Sequence, residues 1–265
     1  MVERYGRDKG KKKLLGNHQK CWIWGRNLVL ETLRSGRWPP VSLLLSTTLP
    51  ESLVRESQEL AAQADVDFQL VEPERIRTFC KTSEHQGFAA KMPEFPYATA
   101  EQVLDLVKAN ESTLVVLCDG LQDPYNFGAI LRSADAFGVA AVVIPSTKQV
   151  GVTSLAARTS AGAVNHVPIA RTDWLAGLAK QLQSMNSRVI GCSEKATDLI
   201  SSQNLTDRVA LVVGNEGTGI SEELQAIVDQ QVRIPLHGSV GSLNAAVAAS
   251  VAMYEVSRQR EGAGQ

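Results

Sequence analysis

The sequence predicts an α/β protein whose larger part is a parallel sheet covered by helices on both faces. After residue 112, short and continuously apolar segments recur, and stretches with helical periodicity separate them. Strands that are apolar on both sides are typical of a parallel sheet buried between helices. A smaller region of mixed helical and strand patterns precedes them, and a proline-rich segment lies between the two regions.

The first third of the chain predicts a charged arm followed by a small domain. Residues 1–20 hold seven basic side chains against two acidic ones. We expect a basic flexible arm that either touches nucleic-acid phosphates or is simply a solvated tail. Residues 21–92 predict a small α/β domain, with a short helix after Gly25 and a longer one over 51–64. Its strands are expected over 41–45, 66–71 and 86–92.

Paired prolines in Pro93-Glu94-Phe95-Pro96 mark the boundary between the domains, because proline interrupts both helices and strand ladders. We assign residues 93–111 to a linker and a lead-in helix, and residues 112–265 to the second domain. Its strands are predicted over 114–118, 140–144, 166–169, 189–192, 209–213 and 232–234. Its helices are predicted at about 127–137, 152–161, 173–185, 221–228 and 243–260.

The composition excludes several classes of protein. The 265 residues carry a net charge of −1, which argues against a uniformly basic nucleic-acid binder. No segment is long and apolar enough to cross a bilayer, so we expect no membrane partner. The four cysteines and four histidines are dispersed, without metal-ligand spacing. We therefore predict a cytoplasmic protein without a metal site.

Three turns rich in glycine and asparagine, each after an apolar strand, are the segments that carry chemistry. In the first turn Asn126 is expected to cap the following helix, and Gly128 leaves its backbone open to a ligand. Arg132 lies six residues after Asn126, roughly on the opposite side of that helix. The alternative is a capped helix with one surface arginine.

The second turn, Gly214-Asn-Glu-Gly-Thr-Gly219, follows the strand over 209–213, where open α/β sheets bind ligands. It is neither a P-loop nor a dinucleotide fingerprint, and Glu216 would repel a phosphate. It also marks a helix start with Ser221 as the cap. The third turn, 238–244, opens a last helix that is apolar on two faces, which predicts burial between its own sheet and a partner subunit.

Together the three turns resemble the motifs of the SpoU (TrmH-type) family of RNA ribose 2′-O-methyltransferases, which use S-adenosylmethionine. The resemblance covers about residues 112–260, with the motifs in order. The matching residues are Asn126, Gly128 and Arg132; Gly214, Glu216, Gly217 and Gly219; and Ile234, Pro235, Ser242, Leu243 and Asn244. The region after Gly25 and the His85-Gln86-Gly87 turn resemble the ribosomal-protein-like domain with which the ribosomal-RNA branch of the family grips RNA.

The resemblance implies a C-terminal methyltransferase domain threaded into a trefoil knot, an exception to the usual unknotted topology. It implies a bent S-adenosylmethionine held mainly by backbone, and a homodimer formed through the C-terminal helix. By position, the expected cofactor contacts are Gly214, Gly217, Ile234, Leu236 and Leu243. The expected catalytic set is Arg132, Asn126, Glu216, Ser242 and Asn244.

The implied reaction is methyl transfer to a ribose 2′-hydroxyl, with a guanosine of 23S ribosomal RNA preferred as the target and DNA not expected as a partner. A guanidinium is a poor base, because its pKa lies above about 12. We therefore interpret Arg132 as a bidentate hydrogen-bond donor to the adjacent phosphate and the developing alkoxide. Glu216 is a candidate proton acceptor. The alternatives are a transfer-RNA methyltransferase and a non-catalytic RNA-binding or ribosome-assembly protein of the same fold. A Rossmann-type nucleotide-dependent enzyme is disfavoured by the missing fingerprint.

Overall fold

The computed structural model describes residues 13–17 and 20–263. It divides the chain into two compact units, Met1–Pro96 and Tyr97–Gln265. Most of the predicted basic arm lies outside the described residues. Within the described part of the chain, no helix is long and apolar enough to span a membrane.

The first unit is a four-stranded mixed sheet with three helices. The strands lie in the order β1-β4-β2-β3, and only β2 and β3 run parallel. The elements in chain order are β1 (Trp22–Trp24), α1 (Arg26–Ser35), β2 (Ser42–Ser46), α2 (Glu51–Gln63), β3 (Asp67–Val71), α3 (Pro73–Cys80) and β4 (Phe88–Lys91). The short elements β1 and α3 were not predicted, and β1 finds its partner β4 only at the far end of the unit.

The two segments of the first unit that resemble the ribosomal-RNA branch of the family are in contact. The side-chain oxygen Oε1 of Gln86 accepts a hydrogen bond from the backbone N–H of Arg26 at 2.9 Å. Beside it, the Gly87 N–H donates to Nδ1 of His85 at 3.1 Å, which fixes the neutral tautomer of that buried ring with its proton on Nε2. Burial lowers the pKa of His85, so the ring stays uncharged at neutral pH.

Residues 13–17 of the predicted arm contact the end of the first unit. Leu14 forms a β-bridge with Pro93, and the Glu94 N–H donates to the carbonyl of Lys13 at 2.8 Å. Leu15 is buried. An apolar Leu-Leu pair thus ends the charged segment and binds it to the end of the first unit.

The second unit is built on a seven-stranded sheet in which every pair of neighbouring strands is parallel. The order is β7-β6-β5-β10-β8-β11-β9. The strands are β5 (Leu114–Asp119), β6 (Ala141–Pro145), β7 (Ile169–Thr172), β8 (Arg188–Cys192), β9 (Asp198–Leu199), β10 (Val209–Gly214) and β11 (Gln230–Arg233). The predicted strand over 166–169 begins later, because Pro168 has no N–H to donate to a ladder.

Helices cover both faces of this sheet. The helices are α4 (Ala100–Lys108), α5 (Pro124–Ala136), α6 (Ser154–Thr159), α7 (Leu175–Ser184), α8 (Glu222–Gln225) and α9 (Ala245–Ala263). Strand side chains such as Val115 and Val212 form one apolar core with α4, α7 and α8. On the other face α5 packs between α6 and α9. Because the strands run parallel, the carboxyl ends of β5, β8, β10 and β11 lie at the same edge of the sheet.

Candidate active site

Three segments that are far apart in the sequence meet through one chain of side-chain hydrogen bonds. Nδ2 of Asn126 donates to Oε1 of Glu216 at 2.9 Å, and Nδ2 of Asn244 donates to Oδ1 of Asn126 at 2.9 Å. Each predicted motif contributes one of these three residues. The amide of Asn126 is buried and uses both its donor and its acceptor, so its orientation is fixed.

The first turn of α5 is held differently from the prediction. The N-cap is Asp123, whose carboxylate accepts from the Tyr125 N–H at 2.9 Å, and Asn126 lies within the first helical turn. Gly128 is not open to a ligand. A Cβ at Gly128 would lie 2.6 Å from the carbonyl oxygen of Ala156, so this glycine allows α5 to approach α6 closely.

The carboxylate of Glu216 closes the gap between β10 and the start of α5. Besides Asn126, it accepts from the backbone N–H groups of Gln122 at 3.3 Å and Asp123 at 3.4 Å. Burial by itself would raise the pKa of Glu216, but these hydrogen bonds outweigh it and hold the pKa below its usual value. A carboxylate stabilised in this way is a weak proton acceptor, which argues against Glu216 as the general base.

The loop after β10 is closed upon itself. The backbones of Asn215 and Gly219 exchange two hydrogen bonds of 2.9 Å, and Oδ1 of Asn215 accepts from the N–H groups of Gly217 and Thr218. The amide of Asn215 also donates to the carbonyl of Gly120, at the end of β5. Asn215 was not among the predicted site residues, although its side chain holds this loop together.

Asn244 forms the start of the last helix. Its Oδ1 accepts from the backbone N–H groups of Ala246 at 2.9 Å and Val247 at 3.3 Å, as an N-cap does. The same side chain therefore begins α9 and orients Asn126. The predicted start of this helix at residue 243 was two residues too early.

A cavity of about 640 Å³ lies beside this network, at the carboxyl edge of the sheet. Its volume is in the range of small-molecule sites, about 300–1,000 Å³. Eight of the ten predicted site residues line it: Gly214, Glu216, Gly217, Ile234, Leu236, Ser242, Leu243 and Asn244. Asn126 joins them through its two hydrogen bonds. The structure thus brings nine of the ten residues together.

Arg132 is the exception. It is exposed on α5, and it has no hydrogen bond or ion pair with any residue in the described ranges. Six residues of helix separate it from Asn126 by about 9 Å along the axis and about 120° around it. The asparagine and the arginine of the first motif therefore point away from each other.

Part of the cavity wall was not predicted from the sequence. Ser193, Glu194 and Lys195 follow β8, and Arg233 ends β11. Because β8 lies between β10 and β11 in the sheet, its carboxyl end had to reach this site. The strand after residue 188 was predicted, but its place in the strand order was not. Among the described residues, no group of three or more His, Cys, Asp or Glu side chains could hold a metal ion.

Two family models match the chain. The SpoU rRNA Methylase family matches residues 113–254. The model for RNA 2′-O ribose methyltransferase substrate binding matches residues 22–98. The two matches correspond to the two units of the structure and include all three turns of the site.

Similar proteins agree with these matches. A Bacillus subtilis (strain 168) protein named as the TrmH family tRNA/rRNA methyltransferase YacO is 33% identical over 253 residues, 94% of this chain and 100% of its own length. A Staphylococcus aureus (strain COL) protein, also named as a TrmH family tRNA/rRNA methyltransferase, is 38% identical, and the match covers 92% of this chain and 98% of that protein. The SpoU methyltransferase AviRb from Streptomyces viridochromogenes, solved with the cofactor AdoMet, has a TM-score of 0.77 at 25% identity. The match covers 94% of this chain and 96% of the AviRb chain. The chain therefore belongs to the SpoU methylase family and is an S-adenosylmethionine-dependent RNA methyltransferase.

Proposed function

We propose that this protein methylates the 2′-hydroxyl of one ribose in ribosomal RNA, with a guanosine of 23S RNA as the target. The observation that carries the proposal is the meeting of three motifs at one cavity through Asn126, Glu216 and Asn244. The match of residues 22–98 to a ribose methyltransferase substrate-binding domain supports RNA as the substrate. Ribosomal RNA is preferred to transfer RNA because of this additional unit. We place the reaction in the cytoplasm.

The cavity suits a compact zwitterion such as S-adenosylmethionine. Its wall offers apolar side chains, including Ile234 and Leu243, and charged groups of both signs, among them Glu194, Lys195 and Arg233. A ligand with a carboxylate, an ammonium and a sulfonium group requires partners of both signs. We assign the backbone around Gly214, Gly217 and Leu236 to the adenosyl part. The knotted path of residues after β11, implied by the family resemblance, belongs to the same proposal.

The bound cofactor supplies an electrophilic methyl group on its sulfonium. The protein has to place the ribose 2′-oxygen in line with it and to favour loss of the hydroxyl proton. We assign Arg132 to the adjacent phosphate and to the developing alkoxide, which lowers the pKa of the hydroxyl. Asn126, Ser242 and Asn244 orient the nucleotide. Glu216 holds Asn126 and the start of α5 in place, and the proton passes to solvent.

The experiment that tests this function maps methylation directly. A strain that lacks the protein should lose one 2′-O-methyl mark in its 23S RNA, and the purified chain with S-adenosylmethionine should restore that mark in vitro. Loss of a mark in transfer RNA instead would favour the alternative substrate. A chain that binds S-adenosylmethionine by calorimetry but methylates no RNA would support the non-catalytic alternative.

We also propose that two copies pair through α9. Val247, Val251 and Tyr254 are 48%, 36% and 54% exposed, and their spacing places them on one stripe of the helix. Exposed apolar stripes of this kind are typical of subunit interfaces. Val251→Glu should convert a dimer into a monomer in light scattering. Leu106→Glu on α4, on the opposite face of the sheet and 39% exposed, is the matched control and should stay dimeric.

A further inference from the structure

The side chain of Tyr125, in the first turn of α5, has no role in the fold or in the site described above. Its side chain is 58% exposed, and within the described ranges it makes no hydrogen bond or ring contact. We propose that Tyr125 is the stacking platform for the base of the methylated nucleotide. The inference rests on the proposed function, because it assigns one further residue to recognition of the same RNA.

The helix places Tyr125 and Arg132 on one face. Seven residues along an α-helix bring the side-chain direction back to within about 20° of its starting direction, with a rise of about 10 Å. The position between them on this face is Ala129, whose small side chain leaves the surface between them low. Arg132 is exposed and has no partner in the described part of the chain. An aromatic ring and a guanidinium thus stand two turns apart on one open surface.

The backbone at the start of this helix is bonded to the cavity wall. Gln122 and Asp123, in the turn immediately before Tyr125, donate their backbone N–H groups to Glu216. Glu216 in turn lines the cavity. The start of α5 is fixed further by the Asp123 cap and by Asn126. The ring of Tyr125 is therefore carried on backbone that is held rigidly and that is bonded to a residue of the cavity wall.

The pairing of these two groups matches the chemistry of a nucleotide. Proteins that read single-stranded RNA stack splayed bases on exposed Tyr, Phe or Trp rings. A guanidinium binds phosphate through its fork of donors. A base on Tyr125 and its phosphate at Arg132 would leave the ribose between them. Since every base has a stacking face, this platform selects an unpaired nucleotide rather than a particular base.

The experiment uses the full chain, tritiated S-adenosylmethionine and ribosomal RNA from a strain that lacks the protein. Tyr125→Ala should lower kcat/KM for RNA by about 10- to 100-fold, the range of one lost base–aromatic stack. Tyr125→Phe should stay near the wild-type value, because the ring and not the hydroxyl stacks. S-adenosylmethionine affinity and the oligomeric state should not change. Trp174→Ala is the matched control, since Trp174 is 57% exposed but packs on Gly177 and donates to Glu223, and its activity should be retained.

A second measurement identifies the base. A synthetic RNA fragment with an abasic ribose at the mapped site should lower the kcat/KM of the wild type about as much as Tyr125→Ala does. It should not lower the kcat/KM of the Tyr125→Ala variant any further. Normal activity of Tyr125→Ala beside an active wild type overturns this inference and leaves the proposed function intact. Equal losses in the Ala and Phe variants, or a loss of cofactor binding or of the dimer, also overturn it. A wild type that methylates no RNA overturns the proposed function and this inference with it.

Discussion

The two sides of α5 are held in opposite ways. On one side Asn126 is buried and bonded to Glu216 and Asn244. On the other side Arg132 is exposed and has no partner in the described residues. One helix thus carries a group whose position is fixed by the fold and a group that, in the proposed function, binds the RNA. Their contributions should accordingly separate in experiments, with stability and geometry on one side and substrate chemistry on the other.

The largest expected effect comes from Arg132→Ala. The substitution should lower kcat by about 100- to 1,000-fold, as expected for removing a donor that stabilises developing negative charge. Unfolding and S-adenosylmethionine affinity should change little, because the side chain makes no hydrogen bond or ion pair within the described residues. Arg132→Lys keeps the positive charge but not the bidentate donor geometry of the guanidinium, so it should retain only part of the wild-type rate. Calorimetry and single-turnover methylation separate these effects, and a loss of cofactor binding in Arg132→Ala would show that the arginine is structural.

Asn244→Ala should have an intermediate effect on both properties. Loss of the α9 cap should lower the free energy of unfolding by about 1 kcal/mol. Because Asn126 also loses a partner, methylation should fall by about 10-fold beyond any loss of folded protein. Thr99→Ala provides the control, since Thr99 caps α4 through the Gln102 N–H. A similar loss of stability with full activity in Thr99→Ala would support a role of Asn244 in the site. An equal loss of activity in Thr99→Ala and Asn244→Ala would contradict it.

The smallest effect concerns acid stability and Glu216. Its pKa in the folded protein lies below that in the unfolded chain, so the carboxylate contributes stability at neutral pH. That contribution is lost as the pH falls through the lowered pKa. The wild type should therefore unfold at higher urea concentration than Glu216→Gln at about pH 7, and the gap should shrink on acidification below the usual carboxyl range of about 4. A gap that does not depend on pH would mean that the carboxylate's charge plays no part in holding α5.

Much of the second unit follows from local patterns. β5 and β10 are long, continuously apolar segments, and they were predicted to within one residue at each end. The three motifs were recognisable as one set because their residue types and order are specific. The first unit was harder to predict, because β1 pairs with β4 through residues that lie 65 to 69 positions apart, from Trp24–Ala89 to Trp22–Lys91. Nothing local in Trp22–Trp24 distinguishes a strand from a buried turn.

The arrangement of the site needed the sheet order, which the sequence does not contain. Ser193, Glu194 and Lys195 were missed because their membership in the cavity depends on β8 lying between β10 and β11. The role of Gly128 was misread because close approach of a helix and close approach of a ligand require the same residue type. The N-cap was misassigned by three residues, since Asp123 and Asn126 are both good caps and only the tertiary bonds of Asn126 decide between them.

The contact at Gly128 also bears on how such a protein could change its substrate over time. With no room for a Cβ against Ala156, α5 cannot slide or rotate without breaking its packing on α6. The position of the buried Asn126 is therefore insulated from variation on the outward face of the same helix. Residues such as Tyr125 can be exchanged without moving Asn126. A lineage can thus acquire a new RNA target by surface substitution alone, while the chemistry is inherited unchanged.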